Sequence, residues 1–359
     1  TRVAVGAIVV LVAAAVAVAA YALNTDATSK SHASEQATSP LGPANELPEV
    51  AAANKQKPVR ALDHAHPLRL WVGGDSLAGS FGPSLGDLLS ATGVVATQID
   101  YKVSSGLWSN DIRDWYGRAT EQMRSANPEA VVFMIGTNDT PVVNNVDANH
   151  NGIPDWEELY RVKVARMMDL FVGSTHRTVF WLGAPTLGTK SLDSAAVKID
   201  KVAKAEAAKR SPDVVFVDTY RMFEGPDGSY SRTIVDESGS TITARISDGV
   251  HFTPSGAQYL ARAVFRLVDA RWHLKKQADP AHPIEWSLAS GSGENVPGYA
   301  SPPRPHYVYR TPRYTYGTTP PATSGTTPPT SAPAPVTTSP PAPVTTVKLP
   351  PTTVTTPKP

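Results

Sequence analysis

Two short motifs, far apart in the sequence, contain the residue types of a nucleophile and its base. Ser76 lies in a Gly-Asp-Ser-Leu run at 74–77, and His251 closes an Asp-Gly-Val-His run at 248–251. A serine hydroxyl attacks a carbonyl group once a base removes its proton, and histidine titrates near neutral pH. Asp248 is placed to accept the second ring N–H and to stabilise the imidazolium. Together the motifs predict acyl-transfer chemistry.

Two further positions offer hydrogen-bond donors to a developing oxyanion. Gly106 presents a backbone N–H without a side chain that blocks approach, and Asn138 presents a side-chain amide. The backbone N–H of Ser76, in a tight turn followed by a segment that opens a helix, is a third donor. Each donor of this kind can contribute about 3 kcal/mol to stabilisation of the transition state.

The elements that must position these residues alternate between strands and helices. Five short runs are apolar on both faces, which is typical of parallel strands covered by helices. This alternation predicts an α/β fold, a three-layer α/β/α sandwich with a five-stranded parallel sheet. The predicted strands are Leu68 to Val72, Val94 to Tyr101, Ala130 to Ile135, Thr178 to Leu182 and Asp213 to Asp218. The predicted helices are 83–91, 110–126, 156–172, 192–210 and 254–273.

The candidate residues follow the strands of this predicted sheet. Ser76 comes after the first strand, Gly106 after the second, Asn138 after the third and His251 after the fifth. Ligands of open parallel sheets bind outside the carboxyl ends of the strands. Four separate segments therefore deliver candidate groups to one edge of one sheet.

These four blocks, in this order, resemble the SGNH hydrolase superfamily, also called the GDSL esterases. Further residues are similar to its extracytoplasmic DUF459 branch: Ser105 to Leu107, Asp114, Trp115, Trp156 and Tyr160. The resemblance covers roughly residues 68–273. It implies a flavodoxin-like SGNH hydrolase fold.

The resemblance also implies a role for each matched residue. Ser76 would be the nucleophile, His251 the base and Asp248 the acid that orients it, while Gly106 and Asn138 would complete an oxyanion hole with the Ser76 N–H. Asp218, at the end of the fifth predicted strand, is a rival acid. The motif spacing favours Asp248.

Residues 147–158 fit the twelve-residue pattern of a calcium loop, with glycine at the sixth position. The alternative interpretation is a turn rich in Asn and Gly that leads into a helix. We expect at most a structural Ca²⁺ here and no cofactor for catalysis. The candidate oxygen ligands are Asp147, Asn149, Asn151, Asp155 and Glu158.

The flanking sequences indicate where the domain works. Residues 1–23 contain an uncharged apolar run long enough to cross a hydrocarbon core of about 30 Å, which predicts a transmembrane anchor; a cleaved signal peptide is the alternative. We interpret 24–66 as a flexible tether, 67–275 as the hydrolase domain and 276–359 as a disordered Pro/Thr-rich tail that could contact a cell wall. The chain contains no cysteine, which excludes disulfides and cysteine nucleophiles. Its net charge is +1, so nothing favours a nucleic-acid partner.

Three hypotheses of function follow. The first is a membrane-anchored, extracytoplasmic serine esterase that removes short acyl groups, above all acetyl, from cell-surface glycans or small esters. The second is an O-acyltransferase that passes the same acyl group to an envelope polysaccharide. The third is an inactive wall-binding module.

Overall fold

Short apolar runs form the central sheet of this protein, whose computed structural model describes residues 59–298. All five predicted strands are present, and adjacent strands run parallel. Their bounds are β1 Leu68–Gly74, β2 Val95–Tyr101, β3 Ala130–Met134, β4 Thr178–Leu182 and β5 Val214–Val217.

Helices alternate with these strands, and most agree with the predicted ranges. The first one differs, because it begins at Ser76 rather than at 83. Pro83 resembled a first-turn residue, but the side chain of Asp75 caps the helix by accepting the Leu77 N–H at 2.9 Å. The helices are α1 Ser76–Ser90, α2 Trp115–Ser125, α3 Asp155–Val172, α4 Lys190–Ala208, α5 Thr219–Phe223, α6 Pro254–Trp272 and α7 Leu274–Gln277, with a 3₁₀ helix at Thr137–Val142.

The sheet has the order β5-β4-β3-β1-β2-β8, in which β8 is Ser287–Leu288. The three-layer α/β prediction is confirmed, but the sheet has six strands rather than five. A two-residue strand in a Pro- and Ser-containing segment has no periodicity from which it could be predicted.

Alternate residues of each strand pack on opposite sides of the sheet. Val72 on β1 belongs to the core under α1 and α6, whereas Trp71 belongs to the core under α2, α3 and α4. On this second side Trp71 stacks on Phe133 with ring centroids 6.0 Å apart, and Phe171 contacts both rings. Because both faces are buried, the register of each strand is fixed by packing.

A β-hairpin separates β5 from the segment that carries His251. Its strands, β6 Thr233–Val235 and β7 Thr241–Thr243, pair antiparallel. After β7 the chain turns back on itself, and the Thr253 N–H donates to the Ala244 carbonyl at 3.0 Å. The hairpin thus closes the base of the loop at 246–251.

The folded domain extends past the predicted boundaries at both ends. Leu62, assigned above to the tether, is buried, and its N–H donates to the side chain of Gln277 at 2.7 Å. Residues 286–298, assigned above to the tail, include β8 and the buried Val296. The few apolar residues of these segments are too widely spaced to form a periodic pattern, so composition alone favoured a disordered interpretation.

The two ends of the described chain lie at opposite edges of the sheet. Residues 59–67 lead into the amino end of β1, where Arg60 pairs with Glu129 just before β3. Gly298 instead lies beside Ile246, at the carboxyl edge. No helix within residues 59–298 is long and apolar enough to cross a membrane, and the predicted anchor at 1–23 lies outside the described residues.

Candidate active site

Ser76 lies at the sharp turn between β1 and α1. Gly74 adopts φ +145°, and a Cβ on it would lie 1.9 Å from the Met134 carbonyl oxygen, so the turn requires glycine. The Asp75 N–H donates to the same carbonyl at 3.1 Å. The turn thereby places Ser76 as the first residue of its helix, at the carboxyl edge.

A continuous chain of hydrogen bonds joins Ser76 to His251 and Asp248. The Ser76 Oγ and the His251 Nε2 are 2.8 Å apart, and the His251 Nδ1 lies 2.7 Å from the Asp248 Oδ2. The other carboxylate oxygen accepts the backbone N–H of Val250 at 2.8 Å and of His251 at 3.0 Å. Burial opposes ionisation, but these hydrogen bonds outweigh it and lower the pKa of Asp248.

The rival acid, Asp218, contacts other groups than His251. Its carboxylate caps α5 by accepting the Arg221 N–H at 3.3 Å and pairs with the Lys204 Nζ at 3.2 Å. Asp248 is therefore the acid that contacts His251.

The three predicted oxyanion donors also meet at this edge. Within residues 59–298, neither the Ser76 N–H nor the Gly106 N–H donates to another protein atom. The side chain of Asn138 is exposed; its Nδ2 donates to the Ser105 carbonyl at 2.8 Å and lies 3.4 Å from the Asp75 Oδ2. Asn138 therefore ties together the loops that follow β1, β2 and β3.

The match to a known family coincides with this set of residues. The model described as "Protein of unknown function (DUF459)" matches residues 69–267. The chain belongs to this family. The DUF459 resemblance predicted above is thereby confirmed, and the matched region contains the serine, the histidine and every donor just described.

Solved structures resemble this DUF459 protein at low sequence identity. A lipase/acylhydrolase from Enterococcus faecalis is 16% identical with a TM-score of 0.41, covering 59% of this chain and 98% of its own. A carbohydrate acetylesterase family member from Sinorhizobium meliloti is 14% identical with a TM-score of 0.41, covering 57% and 99%. A catalytic mutant of an acetylxylan esterase from Geobacillus stearothermophilus is 19% identical with a TM-score of 0.38, covering 57% and 95%. No curated protein matches the chain.

Asp139 holds the Gly106 segment of this DUF459 protein, a role that the sequence analysis missed. Its buried carboxylate accepts the N–H groups of Leu107 and Trp108 and the hydroxyl of Tyr160, each at 2.9 Å. A Cβ on Gly106 would lie 2.1 Å from the Asp139 Oδ1, so the close approach requires glycine. Burial raises the pKa of Asp139, although these hydrogen bonds oppose the shift. An aspartate directly after Asn138, in the segment that follows a buried strand, was the available signal.

Asp75 is the second buried carboxylate behind the nucleophile. It is completely buried, and its Oδ1 accepts the Leu77 N–H. Burial raises the pKa of Asp75 to about 7, and the nearby charge of Asp139 adds to the shift. Sequence reasoning placed Asp75 in the motif but assigned it no role.

Arg245 anchors residues 246–251, hereafter the histidine loop, and no sequence signal indicated this role. This fully buried guanidinium donates to the Val250 carbonyl at 2.6 Å and to the Thr186 carbonyl. It lies 4.9 Å from the ring centroid of Phe252 and 5.3 Å from that of Phe223. Burial lowers the pKa of Arg245 to about 10. A charged residue in an apolar environment is not expected from hydrophobic patterning.

The predicted calcium loop folds around Glu158. The amides of Asn149 and Asn151 donate to its carboxylate at 3.1 and 2.7 Å, and Asp147 accepts the Asn151 N–H at 3.2 Å. The Asp155 carboxylate accepts the Ala148 N–H at 3.1 Å. In the described part of the chain, no group of three or more histidine, aspartate or glutamate residues is arranged to hold a metal ion. The calcium site stays a prediction.

Proposed function

We propose that this DUF459 protein is a serine esterase that forms an acyl-enzyme on Ser76. The observation that carries the proposal is the relay in which Ser76 contacts the His251 Nε2 at 2.8 Å while Asp248 holds the opposite ring nitrogen at 2.7 Å. A base within hydrogen-bond reach of the hydroxyl, and itself oriented by a carboxylate, meets the geometric requirement for nucleophilic catalysis.

The first half-reaction transfers the acyl group to the enzyme. The Ser76 Oγ attacks the carbonyl carbon of the ester while the His251 Nε2 takes the hydroxyl proton. When the tetrahedral intermediate collapses, the carbon–oxygen bond to the alcohol breaks and His251 gives that proton to the leaving oxygen. Asp248 stays ionised and stabilises the imidazolium between the two steps, consistent with its lowered pKa.

The second half-reaction returns the enzyme to its starting state. Water attacks the acyl carbon as His251 accepts its proton, and the bond to the Ser76 Oγ breaks as His251 returns a proton to that oxygen. In both halves the negative charge develops on the former carbonyl oxygen. The N–H groups of Ser76 and Gly106, which donate to no other atom within residues 59–298, are donors for it. Asn138 is the third once its second amide hydrogen, which points to the Asp75 Oδ2 across a long 3.4 Å contact, turns to the oxyanion.

We also propose a substrate class and a location for this enzyme, both from the sequence. The apolar run within 1–23 and the Pro/Thr-rich residues 301–359 favour an enzyme anchored in the cell membrane with its domain outside. At that location, acetyl and other short acyl esters of envelope glycans are the substrates that we propose. An O-acyltransferase would use the same acyl-enzyme with a sugar hydroxyl in place of water.

The test is ester cleavage by the full chain, measured with p-nitrophenyl acetate in the presence and absence of a glycan acceptor. We expect release of p-nitrophenol and free acetate, lost in Ser76→Ala and retained in Ser90→Ala, at the far end of the same helix. Acetylated glycan as the main product would instead establish the transferase. Absence of any Ser76-dependent release would favour the binding module.

The calcium prediction for residues 147–158 concerns stability rather than chemistry. The amide nitrogens of Asn149 and Asn151 face Glu158 in the described conformation. Rotation of both amides by half a turn would present oxygens beside the carboxylate, an arrangement that calcium favours.

A further inference from the structure

Residues 286–298, hereafter the strap, first pair with β2 and then cross the carboxyl edge of the sheet. They lie outside the family match at 69–267. The strap begins at the edge of the sheet, where β8 pairs parallel with β2 and the Ala289 N–H donates to the Ile99 carbonyl at 2.8 Å. From there it passes three segments of the candidate active site in turn.

The strap first contacts the helix of the nucleophile. Trp286 lies against Gly86, and its Nε1 donates to the Asp87 Oδ1 at 2.7 Å. Val296 is buried against Gly79, one turn after Ser76; a Cβ on Gly79 would lie 2.8 Å from the Val296 Cγ2. The helix and the strap therefore leave no room for a side chain between them.

A buried ion cluster fixes the path of the strap. Asp100, at the end of β2, is completely buried; it pairs with Arg113 at 2.9 Å and with Arg118 at 2.6 Å. The Ser292 Oγ donates to the same carboxylate at 2.9 Å. The two arginines in turn donate to the carbonyls of Gly291 and Ser290. Every charge in the cluster is paired, as burial requires.

Glu294 joins the strap to residues 102–108, hereafter the oxyanion loop. Its carboxylate forms an ion pair with Lys102 and accepts the Val103 N–H at 2.9 Å. The Lys102 carbonyl accepts the Ser105 hydroxyl at 2.7 Å, and the Ser105 carbonyl accepts the Asn138 amide. Glu294 therefore lies three polar links from the Asn138 amide, through Lys102 and then Ser105. Ser105 also directly precedes Gly106 in the chain.

The strap ends beside the histidine loop. A Cβ on Gly298 would lie 2.4 Å from the Ile246 Cγ2 and 3.1 Å from the Phe252 carbonyl oxygen. One segment thus touches the nucleophile helix, the oxyanion loop and the loop that precedes His251.

We propose that the strap holds the oxyanion loop in its catalytic position and that Glu294 is the positioning residue through which it acts. The part that concerns catalysis rests on the esterase activity proposed above. Glu294 touches neither the nucleophile nor its base. Its effect is on the position of the Gly106 N–H and, through Ser105, on the Asn138 amide.

The test compares Glu294→Ala and Glu294→Gln with the wild-type chain, and Glu285→Ala is the matched control. Glu285 is exposed and, within the described residues, forms no ion pair. We expect Glu294→Ala to lower kcat for p-nitrophenyl acetate about tenfold, with KM within about twofold, because the loss is confined to transition-state stabilisation. Glu294→Gln keeps an acceptor for the Val103 N–H and recovers most of the rate.

Hydrogen exchange provides a readout that does not depend on activity. Amides of the oxyanion loop should exchange faster in Glu294→Ala than in Glu285→Ala, with equal exchange in β3 and β4. Unchanged loop exchange, or a kcat within twofold of wild type, overturns the proposal. If the wild-type chain shows no Ser76-dependent cleavage, the esterase proposal fails, and the exchange data alone decide whether the strap holds the loop.

Discussion

Asp248 binds His251 twice, once through the ring and once through the backbone. One carboxylate oxygen lies 2.7 Å from the ring Nδ1 and the other 3.0 Å from the backbone N of the same residue. A spacing of three residues therefore fixes both the tautomer and the position of the ring. The hydrogen bonds through which Asp248 orients His251 therefore all lie within residues 248–251.

The double contact predicts that Asp248→Asn lowers kcat on the order of 10⁴-fold, because an amide favours the wrong ring tautomer. Initial rates of p-nitrophenyl acetate hydrolysis measure the loss. Asp218→Asn is the control, since asparagine still caps α5, and it should retain a rate within about twofold of wild type. The reverse ranking would identify Asp218 as the functional acid.

Gly106→Ala should lower kcat at least about 100-fold, the loss expected when a donor to the oxyanion is displaced. The added Cβ would meet the buried Asp139 Oδ1 at 2.1 Å, so the loop must move. Asn110→Ala, at an exposed position four residues later, should leave kcat unchanged. Wild-type kinetics in Gly106→Ala would exclude the Gly106 N–H as a donor.

The buried Asp75 predicts a specific dependence of stability on pH. Its pKa is raised from 3.8 to about 7, so between these values the folded protein keeps a proton that the unfolded chain releases. The free energy of unfolding therefore falls as pH rises through this range. Asp75→Asn removes this contribution while keeping a helix cap.

Urea unfolding of both proteins at several pH values between about 4 and 7 isolates the effect. The free energy of unfolding of Asp75→Asn should rise, relative to wild type, as pH increases. A difference that stays constant across this range would show that Asp75 titrates normally.

Arg245→Met should lower the free energy of unfolding by about 3 kcal/mol, because the carbonyls of Val250 and Thr186 lose a charged donor. Release of the histidine loop should also lower kcat. Arg232→Met, at an exposed position of the same hairpin, is the control. Denaturant titration and kinetics on both variants check the prediction, and equal stability of the two would contradict it.

Calcium should raise the melting temperature if residues 147–158 bind it, and Glu158→Gln should abolish the rise. Thermal unfolding with CaCl₂ and with EDTA measures both. Glu285→Gln should respond like wild type. An identical midpoint with and without calcium in the wild-type protein would remove the calcium prediction.

The sequence predicted the sheet and the two motifs of the relay because each of them leaves a local signal. Apolar runs such as Val131 to Met134 are distinctive, and Asp248 and His251 are separated by three residues. The start of α1 was misplaced because Pro83 is typical of a first turn, whereas the helix is capped by Asp75, eight residues before Pro83. Residue spacing could not reveal Arg245, because its partners are backbone carbonyls, which every residue type carries, and one of them belongs to the distant Thr186.

The strap was missed for a related reason. Glu294 meets Val103 across almost two hundred residues, and no periodicity links them. Its segment is rich in Gly and Ser, a composition that favours disorder when long-range pairing is not considered.

The opposite placement of residues 59 and 298 has a practical consequence for immobilising the enzyme. A support coupled at residue 59 would hold the domain by the edge where β1 begins. The carboxyl edge around Ser76 would then stay accessible to a polymeric substrate. A support coupled at residue 298 would lie beside Ile246 and restrict access to Ser76 from that side. The site of coupling should therefore discriminate between large and small esters without any change to the catalytic residues.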